Sequence, residues 1–136
     1  MSKRTRAVLG TSAALSLLAG GAWAGVAVAA APGAKVTAPY AQAAAVINSD
    51  GSVNRSKGIA AVTKPSTGNY CVELEDKDLD ITKLVPSATL QRKTFDYDVQ
   101  ISMWPDPTCG SRTDTFLVLT GRPGAFGDAA FSIVIP

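Results

Sequence analysis

Asp76, Asp78 and Asp80 occupy alternate positions in the stretch "YCVELEDKDLDI", and their type and spacing are those of a cation site. Calcium loops of the EF-hand class draw carboxylate oxygens from alternate positions, need Gly at the sixth position for a sharp turn and close with Glu at the twelfth. Counted from Asp76, those places hold Ile81 and Ser87, so that class is excluded. What remains is a weak calcium candidate formed by Asp76, Asp78 and Asp80 on a turn. The competing reading is a solvated turn whose charges keep a sheet edge from pairing with neighbours. No other metal site is predicted.

Catalytic chemistry has few donors. The chain has no histidine, which removes the usual general base and the commonest transition-metal ligand. Its two cysteines, Cys71 and Cys109, are expected to be bonded to each other, as such a pair is in an exported chain. Glu73, Glu75, Asp96 and Asp98 could support a carboxylate-based hydrolase acting on extracellular glycan, and this is the alternative function. Their spacing singles out no pair, so the sequence predicts no enzyme, no catalytic residue and no cofactor.

The third group lies in "MWPDPTCGSRTD", residues 103–114. Trp104 falls on the polar phase of its strand, Pro105 and Pro107 stiffen the chain immediately after it, and Cys109 anchors the middle. A stiff loop carrying Trp104, Asp106 and Arg112 loses little freedom on binding and is the candidate binding surface. Against it stands a structural reading in which Trp104 lies over the disulfide as a lid on the core.

The elements that must position these residues begin after a targeting segment. Lys3, Arg4 and Arg6 precede an uncharged apolar run over residues 7–30, and "AVAAAPGA" offers the small residues a signal peptidase reads. Residues 1–30 are therefore predicted to be a cleaved, helical secretory signal, cut after Ala30 or Ala31. Residues 31–42 read as a flexible leader, and residues 43–136 as one β domain. Removing Lys3, Arg4 and Arg6 leaves ten cations against eleven acids, so the formal charge of +2 becomes −1. Nucleic acid and anionic membrane lose their electrostatic basis as partners. A secreted or cell-wall-associated chain is expected, without a membrane span after cleavage.

Within the domain, "AAAVI" (43–47), "SVNRSKG" (52–58), "IAAVT" (59–63), "YCVELE" (70–75), "FDYDVQISMW" (95–104), "TFLVLT" (115–120) and "FSIVI" (131–135) read as strands. "NSDG", "KPSTGN" and "GRPGAFGDAA" carry the turn residues between them. The clean alternation of residues 95–104 puts Phe95, Tyr97, Val99, Ile101 and Met103 on the buried face. Six to seven short strands without helical periodicity predict an all-β antiparallel sandwich or open barrel.

The stretch "AVINSDGSVNRSKGIAAVTKPSTGNYCVEL" resembles a module of small exported actinobacterial proteins without assigned function, also seen in tail-fibre-like chains. That module reads V-x-N-x-D-G-x-x-x-R-x-x-G-V and then G-x-Y-x-V. Asn48, Asp50, Gly51, Arg55, Gly58, Gly68, Tyr70 and Val72 match it, and "FLVLTGRPGAFGDAAFSIVI" is similar to its ending. The middle, residues 76–94, departs from the pattern. The resemblance implies a small extracellular β domain and supplies no catalytic residue. Together these readings predict a secreted, disulfide-stapled binding or surface-structural module whose partner is a cell-wall glycan or an extracellular protein.

Overall fold

Hydrophobic alternation over short segments, punctuated by Gly and Pro, builds sheets that must bury one face against each other. The computed structural model describes residues 27–30, as backbone, and residues 35–136. Its strands are β1 (Ala27–Ala30), β2 (Ala43–Ile47), β3 (Val53–Lys57), β4 (Ile59–Ser66), β5 (Asn69–Leu74), β6 (Ser87–Leu90), β7 (Asp98–Ser102), β8 (Thr115–Arg122), β9 (Ala125–Phe126) and β10 (Phe131–Ile135). The larger sheet runs β1-β4-β5-β8-β7, with β9 paired to β8, and the smaller runs β3-β2-β10-β6. The described residues form an all-β sandwich, not an open barrel.

One apolar cluster fills the space between the sheets. Ala43, Ala45 and Ile47 of β2 and Phe131, Ile133 and Ile135 of β10 meet Tyr70, Val72 and Leu74 of β5 and Phe116 and Val118 of β8. Tyr70 and Phe131 pack edge to face with centroids 5.1 Å apart, a geometry that suits the ring quadrupoles. The Tyr70 hydroxyl donates to the Ser49 carbonyl at 2.7 Å, and burial pushes its pKa up to about 12. β8 is covered on both faces, since Leu117 on its other face is also buried. This is why its sequence is apolar without alternation.

Most positions that carry the module resemblance have conformational jobs. Asp50 Oδ1 accepts from the Ser52 amide at 2.9 Å, and Gly51 takes φ +88 to complete the turn between β2 and β3. Gly58, with φ +66, carries the chain from the smaller sheet into the larger one, and a Cβ there would lie 2.6 Å from the Gln42 carbonyl oxygen. Ile59 and Val62 both face the core although their spacing is odd, because the β4–β5 register shifts between Ile59 and Ala61. An extra residue in one strand switches the face that its successors present.

Several expectations are corrected. Nine strands, not six to seven, lie in residues 43–136, since β6 lies in residues 76–94, where no strand is predicted, and β9 in the Gly-rich turn "GRPGAFGDAA". The strand expected over 95–104 shrinks to Asp98–Ser102. Val99 and Ile101 reach the core, but Phe95 is fully exposed and Met103 is exposed. The reason lies in its neighbour. β7 pairs β8 only from Asp98 opposite Gly121 to Ser102 opposite Leu117, and beyond Gly121 the chain turns to pair with β9.

Residues 1–26 and 31–34 lie outside the described residues, and with them most of the expected signal helix and the start of the leader. Residues 27–30 are a strand, not a helix, and pair antiparallel with β4. The described part of the leader is docked. Val36 donates to the Ser56 carbonyl at 3.2 Å, and the Lys57 ammonium donates to the carbonyls of Ala38 and Ala41 at 2.9 and 2.6 Å.

Candidate functional site

Side chains at alternate positions of the larger sheet point away from the core, and these form the candidate site. Cys71 on β5 has this orientation, opposite to Tyr70 and Val72. It is bonded to Cys109 with the Cα atoms 5.5 Å apart. Cys71, Cys109 and Leu117 form a second apolar cluster, with Leu119 packed against it. Cys109 ends a short 3-10 turn, Pro107–Cys109. Asp106 caps this turn by accepting from the Thr108 amide at 2.8 Å, and Gly110 closes it at φ +76. The Thr108 bonds hold the Asp106 carboxyl below its ordinary pKa.

Arg112 is committed to ion pairs. Its guanidinium donates to both oxygens of Asp114, at 2.8 and 2.7 Å, and to Glu73 at 2.7 Å. Lys77 reaches the same two acids, at 2.5 Å to Glu73 and 2.8 Å to Asp114. Two cations thus alternate with two carboxylates and tie the turn after β5 to the start of β8. The bidentate Arg112 contact holds Asp114 well below the usual carboxylate range, and the Lys77 bond lowers the Glu73 pKa. Of the three residues expected to bind, Asp106 and Arg112 are therefore occupied in shaping the loop. Trp104 is 70% exposed, two residues beyond β7, so it does not form a lid on the core.

Two of the three aspartates of the cation candidate, Asp76 and Asp80, are spent locally. Asp76 accepts from the Asp78 amide at 2.9 Å. Asp80 caps the 3-10 turn Ile81–Lys83 by accepting from the amide and hydroxyl of Thr82, at 3.0 and 2.8 Å. Among the described residues, no three acids, cysteines or histidines come together as a metal-ligand set. The Asp76–Asp80 turn is anchored instead by Ile81, fully buried, whose amide donates to the Thr113 carbonyl at 2.8 Å.

A concave feature lies elsewhere on the same outer face. Asp98 and Gln100 of β7, Leu119 and Gly121 of β8, and Ala125 and Phe126 of β9 line an open trough of about 460 Å³. The register makes it. Gln100 lies opposite Leu119, and Asp98 and Phe126 lie on either side of Gly121. Gly121 has no side chain to fill the floor, and a Cβ there would stand 2.3 Å from the Ala125 carbonyl oxygen. Phe126 remains 62% exposed.

Asp98 accepts from the Val99 amide at 2.8 Å and from Gln100 Nε2 at 3.5 Å, and the Asp98 and Gln100 side chains are both exposed on the trough with further hydrogen-bonding capacity. The trough wall is stiffened by Arg122, which pairs with Asp96 at 2.9 Å and stacks over the Tyr97 ring, as Lys93 also does.

The sequence pattern places Asp98 on a solvent-facing strand phase but does not single out Gln100 or Phe126. The available signal is Phe126 itself, a large apolar residue between Gly124 and Gly127 in a turn too short to bury it. Of the carboxylates considered for hydrolysis, Glu73 is ion-paired, Glu75 is exposed just past β5, Asp96 is held by Thr94 and Arg122, and Asp98 lines the trough. Every carboxylate shift resolved among the described residues runs downward: Asp50, Glu73, Asp80, Asp96, Asp106 and Asp114.

No helix among the described residues is long and apolar enough to cross a membrane. Comparison of the chain with family models, with curated proteins and with solved structures gave no match in any of the three.

Proposed function

We propose that this chain is a secreted, non-enzymatic binding module whose trough on the outer face of the larger sheet takes a hydroxyl-rich ligand of the glycan class. One observation carries the reading: an exposed aromatic ring, Phe126, sits beside the hydrogen-bonding groups of Asp98 and Gln100 over a floor opened by Gly121. Apolar C–H faces stack on a ring while hydroxyl groups exchange hydrogen bonds with amide and carboxylate neighbours, and a sugar presents both. The trough is open and shallow, suiting a chain that lies along the sheet. Export is supported by the basic, apolar and small-residue order of residues 1–31 and by a formed disulfide. The actinobacterial module resemblance agrees with an extracellular β domain.

The test is retention of the purified protein on insoluble cell-wall polysaccharide, compared for wild type, Phe126→Ala, Gln100→Ala and Trp104→Ala. Phe126→Ala and Gln100→Ala are expected to lower the partition constant at least tenfold. Because all three side chains are exposed, their melting temperatures should stay within about 2 °C of wild type. Loss confined to Trp104→Ala would move the site to the loop over residues 103–114 and overturn the trough assignment. Intact mass of protein from the culture medium checks export: a chain beginning at Ala31 or Pro32 is expected, and full-length protein in the membrane fraction refutes it.

A further inference from the structure

Strand β4 forms the edge of the larger sheet once residues 27–30 are set aside, and those residues lie in the segment proposed to be removed on export. In the full chain β1 covers this edge with a regular antiparallel ladder, Ala27 opposite Lys64, Val28 opposite Thr63, Ala29 opposite Val62 and Ala30 opposite Ala61. The edge therefore accepts an extended strand of small, uncharged residues over about 13 Å, four residues at strand rise. Cleavage after Ala30 or Ala31 takes that strand away and leaves the backbone groups of residues 61–64 unpaired on one side.

Natural edges are guarded by charges, prolines and bulges. Here the guard at Lys64 is engaged elsewhere: its ammonium lies 3.0 Å from Asp128. Pro65 and the two register shifts of β4 confine the regular stretch to the same few residues that β1 covers. Within it Ala61, Val62 and Thr63 carry no charge, and Lys64 at its end is the single charged residue.

We propose that the mature chain forms a two-fold dimer in which β4 pairs antiparallel with β4 of a second copy, joining the two larger sheets into one. A two-fold axis normal to the sheet keeps both core faces on the same side and requires a residue opposite itself. Centred on Val62, it sets Ala61 opposite Thr63 and Lys64 opposite Ala60, so no like charges meet. This reproduces the relation in the full chain, where an alanine also lies opposite Lys64. Centred on Thr63, it would set Pro65 in the ladder, which proline cannot complete. The dimer is the occupant these observations favour because the edge is complementary to itself.

The proposal rests on the removal of residues 1–30, so the test uses chains of defined N-terminus and does not depend on where the cell cuts. Mass from light scattering after size exclusion is measured across concentration for a chain beginning at Pro32 and one beginning at Ala27. The shorter chain is expected to reach twice the monomer mass with rising concentration. The longer chain should stay monomeric, because its own β1 competes at high effective concentration.

An A61E/T63E variant places acids opposite acids on the solvent side of the paired strands and should abolish the dimer without lowering the melting temperature of the monomer. Mixing it with an A61K/T63K variant should restore a mixed dimer. A shorter chain that stays monomeric at every concentration, or a dimer that persists in A61E/T63E, overturns the proposal. Retention on polysaccharide by a monomeric shorter chain would leave the trough reading standing while this one fails.

Discussion

Removing the disulfide by C71A/C109A gives a perturbation whose size and location can both be worked from the structure. The bonded residues are 38 apart in sequence. In the chain-entropy model, closing a loop of that length in the denatured chain is worth about 4 kcal/mol. A domain of this size loses about 4–8 °C per kcal/mol, so the melting temperature should fall by about 15–30 °C. The main core contains neither cysteine, so the sandwich should still fold, with a larger denaturant m-value as the unbridged denatured chain expands.

The local signature is sharper. The loop between β7 and β8 has two attachments near its far end that do not depend on sulfur, Ile81 to the Thr113 carbonyl and Leu74 to the Asp114 carbonyl, both at 2.8 Å. Residues 103–111 have little beyond the Asp106 cap and the bond itself. Hydrogen exchange measured by mass spectrometry should therefore accelerate over residues 103–111 and stay slow at 115–120. A fall of less than about 5 °C would refute loop closure as the source of the stabilisation. Equal loss of protection through β8 would refute the claim that the loop, and not the sheet, depends on the bond.

Two further outcomes concern the same face of the larger sheet. Glu73 and Asp114 have folded-state pKa values below their unfolded ones, so their contribution is present above about pH 4 and is lost as pH falls through the folded values. Wild type should lose stability between about pH 4 and 2, and Asp114→Asn should be less stable at pH 7 with a flatter acid limb in a melting-temperature titration; a parallel acid limb would contradict the ion-pair account. Gly121→Ala sets a methyl group against the Ala125 carbonyl and the Phe126 backbone, so the β8–β9 hairpin must open. Retention on polysaccharide should fall with it, at a stability cost of about 1–3 kcal/mol in urea unfolding, and unchanged retention would remove Gly121 from the trough's construction.

How far the sequence can be read differs from element to element. The hairpin of β4 and β5 is legible because "KPSTGN" holds Gly68, which adopts φ +69, between two apolar runs. β8 is legible as a central strand because both of its faces are apolar. β7 is legible only in its middle, since alternation continues through Phe95 and Met103 while the partner strand does not. β6, "SATL", has too few apolar residues to signal a strand and exists because β10 offers it a ladder from Phe131 to Val134. The segment over residues 103–114 is legible as a stiff, disulfide-anchored loop, but the work of Asp106 and Arg112 inside it depends on partners that spacing does not reveal, above all Glu73, 39 residues from Arg112.

The sequence by itself determined what local chemistry can determine: the turns at Asp50-Gly51 and Gly68, the strand-forming runs, the absence of histidine and the cysteine pair available for bonding. These depend on residue type and near neighbours, and so are written along the chain. Tertiary structure alone decided that Arg112 reaches Glu73, 39 residues away, and so joins it to Asp114, and that Phe126, Gln100 and Gly121 share one trough. Both are coincidences in space set by strand register, where a shift of one residue would send every side chain of a strand to the other face.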